Sequence, residues 1–278
     1  MNRAIAGAIV LIAAAGALLV GLRRRGDDEG ARCGPGFTPE GARCRVGDGC
    51  PAPLARTPAG CDAPDVRVTV PGGAIAIGPS DWEAEGRVTA RSIRVQSFRI
   101  DAFEVTRGGL RRTAGGTGGA DGARADGDLA RAASGVTQLE AMAVCAQRGG
   151  RLPTEDEWIV AAVSAENPPR RYPWGETGAV CRRAAWGIDA GPCAHGADGP
   201  DTVGAHPDGD SALGVHDLAG NVAEWVMSGG DPGPSGASLA KGGSWATSLA
   251  ADLRVWSRLE LPPGARDPRV GFRCVYAP

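Results

Sequence analysis

Between Gly214 and Trp225 the chain reads Gly-Val-His-Asp-Leu-Ala-Gly-Asn-Val-Ala-Glu-Trp, and this stretch constrains the fold more than any other. Gly220-Asn221 is a pair that tolerates a sharp turn or a left-handed backbone. The two carboxylates around it, Asp217 and Glu224, are therefore predicted to close on one another across that turn. In the extended run that follows, the carbonyls of Gly220 and Val222 and the side chain of Glu224 fall on one side. Two carboxylates, two carbonyls and water make the oxygen cluster that a hard cation such as calcium takes. The plainer reading of the same spacing is a turn in which Glu224 pairs with a nearby arginine.

A chain of 278 residues fits one sizeable domain with a leader, or two small domains. A folded region of about 200 residues buries a core without depending on disulfides. The net charge is −2 with both signs interspersed, and no basic face is visible, so there is no electrostatic case for nucleic acid. Ala4 to Leu22 is an unbroken apolar run, just long enough to span a bilayer as a helix. It reads equally as a signal peptide cut near Ala15 to Ala17. Arg23, Arg24 and Arg25 follow it, and the positive-inside rule would keep that triplet cytoplasmic.

The eight cysteines argue the other way. Cys33 to Cys44 and Cys50 to Cys61 enclose loops of equal length, both rich in Pro and Gly. Together they read as a short tandem repeat with too few apolar residues for a core, so disulfides would be its main source of order. Zinc is the competing use, but the chain has no Cys-x-x-Cys pair and no His near these cysteines. An even cysteine count behind an apolar leader points to an oxidising compartment: periplasm, cell envelope or exterior, tethered or secreted. The expected division is a signal anchor or signal peptide (1–25), a Cys/Pro/Gly-rich disulfide segment (26–65) and a globular domain (66–278).

Within that domain, Val68–Val70 and Ala74–Gly78 are predicted strands. Ile93–Ile100 alternates with a slip of phase at Gln96-Ser97 that suggests a bulge. Arg107–Ala133 lacks periodicity and is expected to be a loop. Thr137-Gln-Leu-Glu140 and Thr154-Glu-Asp-Glu157 are capping boxes, each opening a helix. The expected buried stripes are Leu139, Met142, Ala143 and Ala146 in the first helix, and Trp158, Ala161, Ala162 and Ala165 in the second. Glu176 to Gly214 is irregular, with Cys181 and Cys193 close enough to bridge. Its acids Asp198, Asp201, Asp208 and Asp210 are expected in solvated turns, since none fits a calcium-loop register.

Seven motifs occur in order: Val70-Pro-Gly-Gly73, Glu104-Val-Thr106, Gly150-Arg-Leu-Pro-Thr-Glu-Asp-Glu-Trp158, Tyr172-Pro-Trp-Gly175, Gly214 to Trp225, Lys241-Gly-Gly-Ser-Trp245 and Gly271-Phe-Arg-Cys274. Together they resemble the formylglycine-generating enzyme family, the sulfatase-modifying factors, over roughly residues 66 to 278. The resemblance implies an irregular α/β (α+β) domain related to C-type lectins, with low regular secondary structure and a bound calcium. It places the calcium cradle on the side chains of Asp217 and Glu224 and the carbonyls of Gly220 and Val222. A second calcium site of the enzymes falls on Ala184-Ala185-Trp186, where the required Asn is missing. The family's disulfide maps onto Cys145 and Cys274, which leaves Cys181 with Cys193.

The departure from the family carries the functional expectation. Members that generate formylglycine hold copper with two cysteines after Gly-Gly-Ser, and this chain has Thr247 and Asp252 there. Cu(I) selects soft thiolates, which a hydroxyl and a carboxylate do not replace. Other relatives make ergothioneine or mature pyoverdine by different oxidative chemistry. An iron centre would need a facial set such as two His and a carboxylate, for which only His195, His206 and His216 are available, with Asp217. Ser244 and Thr247 read as turn residues, because Gly243-Ser244-Trp245 is no nucleophile elbow. Ser244, Trp245, Thr247, Asp252, Arg254, Trp256 and Arg258 remain as a candidate polar and aromatic ligand cleft. Two functions follow from different classes. One is a calcium-stabilised, non-catalytic module for a protein, peptide or glycan ligand, tethered to the membrane through residues 4–22 if these are uncleaved. The other is a metal-dependent oxidoreductase.

Overall fold

The computed structural model describes residues 33–40, 43–46, 49–79, 88–113, 129–164, 170–194, 198–228 and 237–278. The expected leader lies outside them, as does most of the loop expected over 107–133. No helix among the described residues is long and apolar enough to cross a membrane.

Strands β1 (Phe37–Glu40) and β2 (Arg43–Val46) form one hairpin, and β3 (Ala55–Thr57) and β4 (Gly60–Asp62) a second. Each is closed by a local disulfide, Cys33–Cys44 and Cys50–Cys61. Crosslinks are not the only source of order in this segment. Phe37, Cys44 and Leu54 are buried against Ala102, Phe103 and Val203 of the following domain. The Cys44 N–H donates to Asp201, and its carbonyl accepts from the Thr202 hydroxyl. Apolar residues too few to form a core of their own complete a neighbouring one.

The strands β5 (Arg67–Val70) and β6 (Gly73–Ile77) lie where the sequence predicts them. The expected bulge at Gln96-Ser97 is instead a break between two strands. β7 (Arg91–Val95) pairs with β6, whereas β8 (Phe98–Asp101) leaves for another sheet and pairs with β5. The phase slips there because Ile93 and Val95 on one side and Phe98 and Ile100 on the other face the core from different sheets. Arg107 onward is also not all loop: α1 (Arg107–Thr113) is a helix, and Ala130, Ala132 and Ala133 are buried.

Both capping boxes form as predicted, opening α2 (Gln138–Gln147) at Thr137 and α3 (Glu155–Val163) at Thr154. In α3 the expected residues Trp158, Ala161 and Ala162 are buried, and Ala165 lies outside the described residues. In α2 the expected stripe faces solvent: Leu139 is 74% exposed, and Ala141, Val144 and Cys145 are inside instead. The cause is covalent. Cys145 is bonded to Cys274, which fixes the rotation of the helix whatever its periodicity favours.

The largest sheet has the order β11-β10-β9-β12, built from β9 (Ala223–Val226), β10 (Ser238–Lys241), β11 (Arg258–Leu261) and β12 (Val270–Gly271). β12 is parallel to β9 and the other pairs are antiparallel. A three-stranded sheet has the order β13-β8-β5, with β13 (Val275–Tyr276) beside β8. The fold is thus mixed α/β, with small sheets, few helices and long irregular connections. Every residue of β9 is buried, so the stretch from Gly214 leads directly into the core.

Candidate functional site

The Gly214–Trp225 stretch makes the sharp turn its sequence predicts. Asp217, Gly220 and Asn221 all have left-handed backbones, with φ of 57°, 84° and 52°. Beyond the turn, Glu224 meets the arginine of the plainer reading. Arg273 donates from Nε to Oε2 at 2.8 Å and from Nη2 to Oε1 at 2.7 Å. The Trp158 indole donates to the same Oε2 at 2.9 Å. Asp217 Oδ2 accepts from the Gly204 N–H at 2.6 Å. A third carboxylate, Glu104, takes the Asn221 amide and the Val222 N–H. Glu104 and Arg273 lie in the motifs quoted above, but neither spacing nor periodicity gave them a role in the site, and Asn221 was read only as a turn residue.

Three buried carboxylates, Glu104, Asp217 and Glu224, thus surround one buried guanidinium. When all are ionised, the cluster is two positive charges short. Burial pushes the Glu104 carboxyl well above the usual carboxylate range, and the charges of Asp217 and Glu224 add to this. Burial also raises Asp217, against the Gly204 N–H and the two nearby histidines. Among the described residues, neither the Gly220 nor the Val222 carbonyl accepts a hydrogen bond. Glu224 Oε1 accepts only from Arg273, and a carboxylate oxygen has two lone-pair positions. The four predicted donors therefore keep oxygen capacity that a hard cation could use.

A separate groove of about 320 Å³ lies beside β10 and β11. Its walls include Ser244, Thr247, Asp252 and Arg258 of the predicted cleft, together with Arg269. Ser244 and Thr247 are turn residues as expected, since the Ser244 N–H donates to Thr247 Oγ1 and the Ala246 N–H to Ser244 Oγ. Trp245, Arg254 and Trp256 are not on the lining. Trp245 is buried and donates to the Pro268 carbonyl, and the Arg254 guanidinium lies 5.9 Å from the centre of the Trp256 ring. Turn and groove share backbone bonds: the Gly220 N–H donates to the Gly242 carbonyl, and the Trp245 N–H to the Asn221 carbonyl.

Cys145–Cys274 and Cys181–Cys193 are both formed, and no cysteine is free. His206 pairs with Asp201 at 3.3 Å and His216 with Asp210 at 2.8 Å; His195 lies outside the described residues. His206, His216 and Asp217 do not converge at ligand distance. Among the described residues, the only trio that close is Cys44, Asp201 and His206, and the Cys44 sulfur is in a disulfide. Asp201 is also no solvated turn residue. It is buried, and its carboxylate accepts from Cys44, Thr202 and His206.

Residues 55–278 match the model of the sulfatase-modifying factor enzyme 1-like domain. The chain belongs to this family. Among curated relatives, the inactive C-alpha-formylglycine-generating enzyme 2 of Mus musculus is 34% identical over 147 residues, 50% of this chain and 47% of that protein. The hercynine oxygenase of Mycolicibacterium thermoresistibile is 37% identical over 140 residues, 42% of this chain and 29% of that protein. The chain thus spans less than half the length of these relatives. Among solved structures, Treponema denticola variable protein 1 aligns at a TM-score of 0.59 and 19% identity, covering 76% of this chain and 95% of that one. PvdO from Pseudomonas aeruginosa aligns at 0.59 and 21%, covering 76% and 94%. At these identities the likeness is one of fold alone.

Proposed function

We propose that this sulfatase-modifying-factor domain is a non-catalytic binding module at the cell envelope, with a frame stiffened by calcium. The observation that carries the reading is the groove wall. Thr247 and Asp252 stand where the family resemblance puts the copper-holding cysteines, and all eight cysteines are committed to disulfides. A hydroxyl and a carboxylate do not hold Cu(I) as a thiolate pair does. The four disulfides suit an oxidising compartment and therefore export, with the Ala4–Leu22 run as leader or tether. Calcium would sit among Asp217, Glu224 and the carbonyls of Gly220 and Val222, where it offsets the excess of buried negative charge.

Elemental analysis and melting test both halves of this reading. Calcium at near stoichiometry is expected in the purified protein. Removing it with a chelator should lower Tm by about 5–10 °C, the effect of an ion present at about a hundredfold over its Kd. An unchanged melt removes calcium from the proposal. Dioxygen uptake with conversion of a thiol peptide to an aldehyde would overturn the non-catalytic role. The second reading, an oxidoreductase, draws on the similarity to hercynine oxygenases and predicts stoichiometric iron or copper instead.

A further inference from the structure

Arg258 and Arg269 both line the groove, and neither guanidinium is fully spent. Arg258 reaches Glu155 through Nη2 alone, at 3.1 Å. Arg269 uses Nε and Nη2 on Asp267, at 2.9 and 2.6 Å. The Nε and Nη1 of Arg258 and the Nη1 of Arg269 have no partner among the described residues. A guanidinium carries five N–H donors in a fork that matches a carboxylate.

The charge count behind Arg258 is also uneven. Glu155 is shared with Lys241, whose fully buried Nζ lies 3.3 Å from it. Two cations thus converge on one carboxylate, and the surplus positive charge is on the groove side. Burial lowers the Lys241 pKa to about 8, with Glu155 opposing the shift and Arg258 adding to it. Asp252 is the one acid on the lining. The wall bearing Arg258 is β11, the outermost strand of its sheet. The lining runs from Leu259 on β11 through Ala240 on β10 to Ala223 on β9, and a floor two strand spacings wide, about 10 Å, suits a few residues of extended chain more than a single sugar ring.

We propose that the groove takes an acidic peptide segment, with a side-chain carboxylate held between Arg258 and Arg269. The inference rests on the groove being the ligand site of the module. Asp252 would oppose the bound carboxylate and limit its affinity, so Asp252→Asn is expected to tighten binding.

The test compares three capped hexapeptides against the full-length protein by calorimetry: one alternating alanine and glutamate, and its glutamine and arginine counterparts. The glutamate peptide should bind at least tenfold more tightly than the glutamine one. Arg258→Gln should bring that ratio close to one. Should that variant fail to fold, Arg269→Gln is expected to cut the ratio severalfold and carries the test. Lys241 is the only lysine in the chain, so its Cε resonance is a single probe. Its titration midpoint should rise when the glutamate peptide binds, because an anion at Arg258 relieves the surplus charge. Equal binding of the glutamate and glutamine peptides, or preference for the arginine peptide, would overturn the inference and leave the groove as a ligand site. Binding of none of the three would also overturn the inference. A uronic-acid oligosaccharide binding more tightly than the glutamate peptide would overturn the assignment to a peptide.

Discussion

At Gly220 the backbone lies at φ +84°, and a Cβ there would sit 2.5 Å from the Ala185 carbonyl oxygen. Neither partner in that contact is a flexible side chain. Gly220→Ala is therefore expected to cost about 2–3 kcal/mol in urea unfolding, through strain at a left-handed position and a backbone clash. Lys241 gives the residue-scale pH dependence. Its folded pKa, near 8, lies below its ordinary 10.5. Between these values the unfolded chain binds the proton and the folded one does not, so stability rises with pH across that window. From pH 7.5 to 9.5 the wild type should gain about 2 kcal/mol relative to Lys241→Met. A constant difference between the two denaturation curves would refute the burial of its charge. The turn at Gly220-Asn221 was legible because only a few residue types accept such a backbone. Arg273 was not legible as the partner of Glu224, because nothing along the sequence says which of many arginines arrives across the fold.

Among the elements, α2 shows how a long-range bond overrides periodicity. Leu139, Met142, Ala143 and Ala146 repeat at helical spacing, yet Ala141, Val144 and Cys145 face inward because Cys145 reaches Cys274. Leu139→Lys should therefore change stability by less than about 0.5 kcal/mol, while Val144→Ala, smaller but buried, costs about 1–2 kcal/mol. Comparison of their denaturation midpoints separates the two faces directly. The capping boxes were readable because their bonds close within three residues. The break between β7 and β8 was not, since alternation records which side of a strand is buried but not which sheet buries it. The helix at Arg107 was hidden for a related reason. Its glycines weaken the local signal, and its anchor is remote: Gly108 packs closely against the buried Asp62, which also binds Arg112 and the Thr106 hydroxyl.

For the whole molecule, three of the four disulfides close short loops and one spans a sequence separation of 129. Chain-entropy scaling makes the long one worth about 5 kcal/mol and each short one about 3. Replacing both Cys145 and Cys274 with alanine should therefore lower Tm more than the same change at Cys181 and Cys193. The family membership was visible in the order of motifs, and the groove in the positions of Thr247 and Asp252. The balance of charge inside the molecule was not, because it depends on which ions share a carboxylate after folding. The family match begins at residue 55, yet Phe37, Cys44 and Leu54 cover Phe103 and Val222. Cutting the gene at that boundary would strip an apolar flank beside Val222 and leave the trimmed product prone to clumping, even with all seven motifs intact.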